Sequence, residues 1–531
     1  MAKLSTLLHA LLLTTYIAAQ PGTLDPTFDP LAGPNNWVYC MVEQPDGKVI
    51  IGGDFTSYNG VPRNRIARIN QDGSLDTSFD PGTGADGTVN ALALQPDGRV
   101  VVGGWFNTFN GAARNRIVRL NVNGTVDASF SVGNGFNSYV EVVRVLADGR
   151  ILVGGAFWVY DGDATGRLAM LQANGSLDQG FTANMGSGAN YAVKHLAVMA
   201  DGRIAVGGEF TTWNGVASGG MVMLNANGST SGGFSVGTGA NASVWTVLPL
   251  PDGGLLVGGD FTSWNGVPRT RLVRLQSNGA LDAAWGSATG TSSTVRHLFR
   301  QADGRIVAAG SFTSLFGAPR VRVARLLSDG TVEPGFDPGT GPNLDVETAA
   351  MVADDRILIG GNFSNYGGTP RVRLARIKAC LPAAVSLLDA TLTASSPTGP
   401  YQWIDCGTSQ NIPGANGQSF TPTANGSYAV NTTSNGCSIT SACVNVTTVG
   451  VGSVVMPGLR VWPVPASDQL RVECPGHGWI ELLSMDGTLL LTTSVRGGVN
   501  VLQVDHLASG AYLLRFRDNG IATVRVVMID R

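Results

Sequence analysis

Gln95-Pro96-Asp97-Gly98-Arg99-Val100-Val101-Val102-Gly103-Gly104-Trp105-Phe106 decides the fold. It reads as the turn and returning strand of a β-hairpin. Asp97-Gly98 supplies two positive-φ residues for a tight type I′ turn, and Arg99–Val102 is the strand that leaves it. The diglycine Gly103-Gly104 ends the strand where no side chain is wanted. Equivalent turns fall at Asp46, Asp148, Asp201, Asp252 and Asp303, with Asp354-Asp355 as a degenerate seventh. Successive turns lie 51, 51, 53, 51, 51 and 51 residues apart. A period near 50 is the mark of propeller blades.

Each unit holds two hairpins. In the first, Trp37–Glu43 and Lys48–Ile51 flank Asp46-Gly47, and Arg65–Asn70 and Ser74–Asp76 flank Asp72-Gly73. Four antiparallel strands make a blade, and seven blades make a ring. Units end in Leu-Asp-x-x-Phe, as at Leu75-Asp76 to Phe79, but the seventh stops at Arg376-Ile377-Lys378. The missing copy stands ahead of the first unit, at Leu24-Asp25-Pro26-Thr27-Phe28. The N-terminal strand is therefore expected to complete the last blade and remove an open sheet edge. These units resemble delta-60 repeats, a β-propeller family of exported bacterial proteins, and the resemblance spans residues 20–379. It implies an all-β, seven-bladed ring.

Composition agrees. Charged residues make up 14% of the chain and the formal net charge is −3, which leaves no basic footprint for nucleic acid. Gly, at 72 of 531 residues, is about twice the usual roughly 7%, and it sits at regular turns. Residues 1–19 read as a secretory signal peptide, with Lys3 before an apolar run from Leu7 to Ala19. No later run has the length of a transmembrane helix.

Within each unit the first and third connections are tight turns, while the second and fourth are long. One face of the ring thus carries the long loops, where binding sites are favoured. An aromatic recurs in the second connection, at Tyr58, Phe109, Tyr160, Trp213, Trp264 and Tyr366, with Leu315 breaking the series. A ring of flat faces would stack on sugar or peptide, so these six are the candidate ligand-binding residues. The alternative is that each wedges between neighbouring blades. Two arginine series recur as well, at Arg65, Arg116, Arg167, Arg271, Arg322 and Arg373, and at Arg68, Arg119, Arg274, Arg325 and Arg376. They read as partners of the acids in Leu-Asp-x-x-Phe. Asp54, Glu209 and Asp260 share one position, and two of them facing each other across the channel would make a glycosidase-type carboxylate pair. Sister units place Trp105, Ala156, Ser311 and Asn362 there, which argues against catalysis. No catalytic constellation, metal site or cofactor is expected.

Residues 380–449 change composition, with Ser, Thr, Asn and Cys rising. They are similar to immunoglobulin-like or PKD-like modules, which implies a β-sandwich with Trp403 in the core and Tyr428 as a corner tyrosine. Cys380, Cys406, Cys437 and Cys443 fall here in an exported chain, so disulfides are expected. Three pairings are open. The nested one, Cys406 with Cys437 and Cys380 with Cys443, is preferred; a zinc site is the alternative.

Residues 450–531 resemble the type A sorting domain of type IX secretion, found in Bacteroidota. The resemblance rests on Pro463-Val464-Pro465-Ala466-Ser467, on Leu507-Ala508-Ser509-Gly510-Ala511-Tyr512, and on Gly520. It implies a small β-sandwich, the type IX machinery as partner, and a secreted or outer-membrane-surface protein. The function expected is binding or adhesion to a glycan or protein through the long-loop face. An enzyme acting on extracellular polysaccharide is the second reading, and a structural surface-layer protein the third.

Overall fold

The structure, a computed structural model, describes residues 20–286, 290–353, 356–380, 385–388, 390–395, 399–434, 437–447, 459–485, 487–518 and 521–530. The signal-peptide segment, the Asp354-Asp355 turn and Gly520 lie outside them. The chain divides into two compact units, 1–382 with 432–439, and 383–431 with 440–531.

The first unit is the propeller. In blade one, Val38–Glu43 pairs with Val49–Gly53, which pairs with Ile66–Ile69, all antiparallel. Leu75 adds an outer bridge to Ile69. Seven sheets follow this order. The last takes its outer strand from the other end of the chain, through a bridge between Leu24 and Ile377. Gly22 N donates to Lys378 O at 2.8 Å, Lys378 N to Thr23 O at 2.9 Å, and Asp25 N to Arg376 O at 2.8 Å. Val38 and Tyr58 of blade one share a buried cluster with Leu358 and Leu374 of blade seven, so the ring is closed by packing as well.

The defining hairpin closes differently from expectation. Gly98 has φ +83°, whereas Asp97 is not in the left-handed region. Gly98 N donates to Gln95 O at 2.9 Å, and Arg99 N donates to the Asp97 carboxylate at 3.0 Å. The same turn forms where Ala147, Ala200 and Ala302 replace the proline, with Gly149 N, Gly202 N and Gly304 N donating to Leu146 O, Met199 O and Gln301 O. The connection is therefore a type I turn closed by a single left-handed glycine, a hairpin loop in which the Asp carboxylate accepts the N–H two residues on; Pro96 suits its first corner without being required for it.

The diglycine is explained by close approach. A Cβ on Gly103 would run into Val140 of the next blade's inner strand, and one on Gly104 would overlap the Thr88 carbonyl oxygen of its own. Val193, Val244, Val295 and Val38 meet Gly154, Gly207, Gly258 and Gly360 in the same way. With Gly52 and Val89, six of the seven junctions dock a valine into a glycine notch left by the neighbour; blade six has Ala309 at that position.

The arginine series separate. Only the second meets the expected acids, with Arg68–Asp76 and Arg119–Asp127 at 2.7 Å, Arg325–Glu333 at 2.5 Å, Arg376–Asp25 at 2.8 Å and Arg274–Asp282 at 3.3 Å. Where Met170 replaces this arginine, Arg150 reaches Asp178 at 3.3 Å instead. Arg356 also reaches Asp25 at 2.8 Å, so one buried carboxylate holds two guanidinium groups at the closing seam. Burial would raise the Asp25 pKa, but hydrogen bonds from Arg356 and Thr27 and the Arg376 charge hold it at about 2. The first series has another role. Its six members adopt φ between +63° and +75°. That conformation costs about 1–2 kcal/mol for a residue with a Cβ. Arg65, Arg167, Arg322 and Arg373 offset it by donating to the carbonyls of Asp54, Ala156, Ser311 and Asn362 at the end of the second strand. Blade four has Gly220 at this position, with φ +76°.

Between residues 385 and 446 the described strands form two sheets. Val385–Leu388, Thr391–Ala394 and Ser419–Phe420 make one, and the strands Tyr401–Asp405, Gln410–Asn411, Gly426–Ser434, Cys437–Thr440 and Val444–Val446 make the other. Trp403 is fully buried between them, and Tyr428 Oη donates to Ala424 O at 2.8 Å, a corner that ties a strand to the turn before it. The nested disulfide pattern is not what forms: Cys406 is bonded to Cys443. Register is the reason. Cys406 N donates to Ser427 O, and Tyr428 pairs with Val444, so Cys443 is carried alongside Cys406 with Cα atoms 6.3 Å apart. Cys380 is disulfide-bonded too, and the Cys437 side chain lies outside the described residues.

The described residues between 459 and 530 form a three-stranded and a four-stranded sheet around Leu470, Val472, Ile480, Leu482, Leu514 and Phe516. The Pro463–Ser467 motif follows the strand Arg460–Trp462 and runs beside the last strand. Ala466 N donates to Met528 O and Asp530 N donates to Ala466 O, both at 2.9 Å. Gly510 opens the penultimate strand, and Tyr512 Oη donates to Ala508 O at 2.8 Å.

Candidate functional site

The six repeated aromatics form no binding surface. Tyr58, Phe109 and Trp264 are 0% exposed, and Tyr160, Trp213 and Tyr366 are 2% exposed. Tyr58 and Tyr160 donate their hydroxyls to Gly73 O and Gly175 O at 2.5 Å, and burial comes first in raising both phenol pKa values. Leu315, which breaks the series, is equally buried. The position wants apolar volume, and an aromatic without an exposed face has nothing to offer a ligand.

The long connections holding them are ordered. Ser57–Tyr58 pairs with Val61–Pro62 as a miniature hairpin, and Pro34 bridges to Tyr58 from the connection before. Asn35 Oδ1 accepts from the backbone of Thr56 and Ser57, as Asn137, Asn190, Asn241 and Asn343 do in other blades. The long-loop face is thus a stitched collar.

What the collar surrounds differs from blade to blade. Every inner strand slips register by one residue, between Val38 and Cys40 in blade one and at the matching place in the other six. Such a bulge leaves one residue unpaired and re-aims its side chain. The seven residues are Tyr39, Asn90, Glu141, Lys194, Trp245, Arg296 and Glu347. All seven are half-buried and line one central cavity of about 360 Å³.

Their chemistry is linked. Lys194 Nζ lies 2.8 Å from Glu141 and 3.4 Å from Glu209, and Arg296 lies 3.6 Å from Glu347. Trp245 sits between the two cations, 4.9 Å from Lys194 and 4.3 Å from Arg296, and donates its indole N–H to Asp260 at 2.6 Å. Tyr39 Oη lies 3.4 Å from Asp54. Burial, then the charges of Asp54 and Glu347, raise the Tyr39 phenol well above its usual pKa. Asp54, Glu209 and Asp260 are thereby each engaged in supporting this ring. Below it stand Arg144, His195 and His297. Arg144 Nε donates to Leu196 O at 3.1 Å, and its Nη2 meets His195 Nε2 at 3.2 Å. Burial depresses both imidazoles, aided by the Arg144 charge: His195 falls well below its ordinary pKa and His297 to about 4. Both are therefore neutral at pH 7.

On the same face, Trp105, Trp158 and Tyr191 are 57%, 55% and 59% exposed and Tyr139 is 36% exposed. Trp105 and Tyr139 meet edge to face at 5.1 Å, and Arg167 lies over Trp158 at 5.6 Å. Sequence reasoning missed these four, although the signal was present. Trp105 stands where other blades have Asp, Ala, Glu, Ser or Asn, and Trp158 where they have Thr, Asn or Ser. An aromatic that interrupts a polar series, rather than one that repeats, marks the exposed surface. Among the described residues no group of His, Cys, Asp and Glu has the arrangement of a metal site, and no helix is long and apolar enough to cross a membrane.

Comparison with known proteins adds two family matches. A domain of unknown function described as a DUF5122 β-propeller matches residues 44–79, 95–130, 146–181, 200–230, 250–284, 301–336 and 353–379. A secretion system C-terminal sorting domain matches residues 460–530. No curated protein matches. Among solved structures, PorZ of Porphyromonas gingivalis, a surface component of the type IX secretion system, shares 14% identity at a TM-score of 0.38, over 95% of this chain and 60% of its own. YCF48 bound to a D1 peptide shares 10% identity at a TM-score of 0.25, over 71% of this chain and 94% of its own. Latent PorU of Porphyromonas gingivalis shares 12% identity at a TM-score of 0.12, over 63% and 32%. Likeness this remote fixes neither fold nor function.

Proposed function

We propose that the propeller is a binding module of a secreted or surface-displayed protein, a reading supported by the seven matches to a DUF5122 β-propeller and by the C-terminal type IX sorting domain. The ligand is an extracellular glycan, held at the mouth of the channel on the long-loop face. One observation carries the reading. Seven bulges aim seven side chains into one cavity, and these differ from blade to blade while the scaffold behind them repeats. A purely structural ring has no need of that variety. Exposed Trp105 and Tyr139 add flat apolar faces of the kind on which sugar rings stack. The sorting domain engages the type IX machinery through residues 450–531.

The test is retention of the purified mature protein on arrays of polysaccharides and of surface proteins. Glycan retention that falls in the Trp105→Ala/Tyr139→Ala double variant, at unchanged melting temperature, supports the proposal. Retention on proteins alone replaces the glycan, release of sugar products makes the protein an enzyme, and no retention at all leaves the scaffold reading.

A further inference from the structure

We infer that the cavity selects a carboxylate-bearing sugar, a uronate, through Arg144. The inference rests on the glycan reading above and names the class of glycan. The charges lining the cavity are the cations Arg144, Lys194 and Arg296 and the carboxylates Glu141 and Glu347. Lys194 and Arg296 are each paired with one of these carboxylates. Arg144 is not: among the described residues no carboxylate lies within 4.0 Å of its guanidinium. It is held instead by neutral groups, the Leu196 carbonyl through Nε and the His195 imidazole at Nη2. An arginine sequestered without a counter-charge is costly unless something anionic visits it.

A second observation lies in the same wall. His297 Nδ1 is buried without a hydrogen-bond partner among the described residues, and it belongs to a side chain that lines this cavity beside Arg144 and Arg296. The guanidinium fork recognises planar carboxylates in a bidentate manner, and an imidazole N–H from His297 would add a further donor. Trp37 and Tyr39 line the same cavity with ring centroids 5.7 Å apart, giving the sugar ring apolar surface above its charged end. A cavity of about 360 Å³ has the size of a small-ligand site. Lys194 and Arg296, already neutralised, would hold Trp245 rather than the ligand.

Calorimetric titration of the mature protein with glucuronate and galacturonate, against glucose and galactose, tests this without any variant. The expected result is uronate binding at least ten-fold tighter than that of the neutral sugars. Arg144→Gln is expected to abolish the preference, and Arg144→Lys, which keeps charge but loses the fork, to retain part of it. In the histidine side-chain NMR spectrum, uronate is expected to raise the titration midpoint of His297, because the anion offsets Arg144. Equal affinity for acidic and neutral sugars overturns the inference and leaves the glycan reading intact. So does a preference that survives Arg144→Gln. Arg144-dependent binding of an acidic peptide without uronate binding overturns both.

Discussion

The outer half of each blade and the wall of the channel obey opposite rules. Outside, the same solutions recur: a glycine notch for a neighbour's valine, an arginine closing on the Leu-Asp-x-x-Phe acid, an asparagine stitching two connections. Inside, seven equivalent bulges carry Tyr, Asn, Glu, Lys, Trp, Arg and Glu. The first region has one physical problem to solve seven times, namely docking a sheet against its copy, and it solves it alike. On the proposed reading the second meets a single ligand at one centre, which a seven-fold pattern cannot match unless the ligand is itself seven-fold. In this molecule repetition marks scaffold, and departure from it is what the proposed binding function rests on.

Perturbing each region sharpens the contrast. The largest effect is expected at the closing seam. Asp25→Ala leaves Arg356 and Arg376 without their shared carboxylate, and loss of one partner from a buried pair costs about 3–5 kcal/mol. Chemical denaturation of the propeller should show that loss, and a drop under 1 kcal/mol would mean that the ring does not depend on the seam. Trp213→Ala is expected to cost about 3–5 kcal/mol by opening a cavity between blades, with ligand retention per folded molecule unchanged. Retention lost at full stability would return the repeated aromatics to the site. Gly104→Ala, which drives a Cβ into the Thr88 carbonyl, is expected to cost about 1–3 kcal/mol by the same measurement.

The channel responds to acid rather than to truncation. His195 and His297 are depressed in the folded state, so the unfolded chain binds more protons below its own pKa near 6.5. Their neutral burial costs nothing above that pH, and stability declines as pH falls from about 6.5 towards about 4. Melting curves across that window should flatten in a His195→Phe/His297→Phe double variant. The smallest effect on stability is expected from Trp105→Ala with Tyr139→Ala, within about 0.5 kcal/mol for exposed side chains. The same pair should weaken binding most visibly, and the opposite outcome would dissolve the contrast.

Much of the scaffold was legible from period alone. The Asp-Gly turns counted the blades, and the displaced Leu24-Asp25 segment located the seam, because a missing strand must come from somewhere. The turn type was not legible, since Asp-Gly serves a two-residue turn and a turn with one left-handed glycine equally well. The site was not legible, since a bulge is a fact of pairing: nothing in Val89-Asn90-Ala91 says that Asn90 is the residue left out. The disulfide was hidden for the same reason, the register of Tyr428 with Val444 deciding that Cys406 meets Cys443. Six arginines in the left-handed region gave one hint, Gly220 standing in for them in blade four.

The union of Leu24 with Ile377 also sets a timetable. Arg376 finds Asp25 across 351 positions of chain, so the segment that closes the ring waits until the seventh blade has been made. Contacts this remote in sequence are slow to form. Until then the early blades stand as an incomplete arc with bare strand edges at both ends, a state open to holding chaperones and to passage across a membrane as loose polypeptide. Any break in synthesis before residue 377 leaves an arc that never becomes a circle.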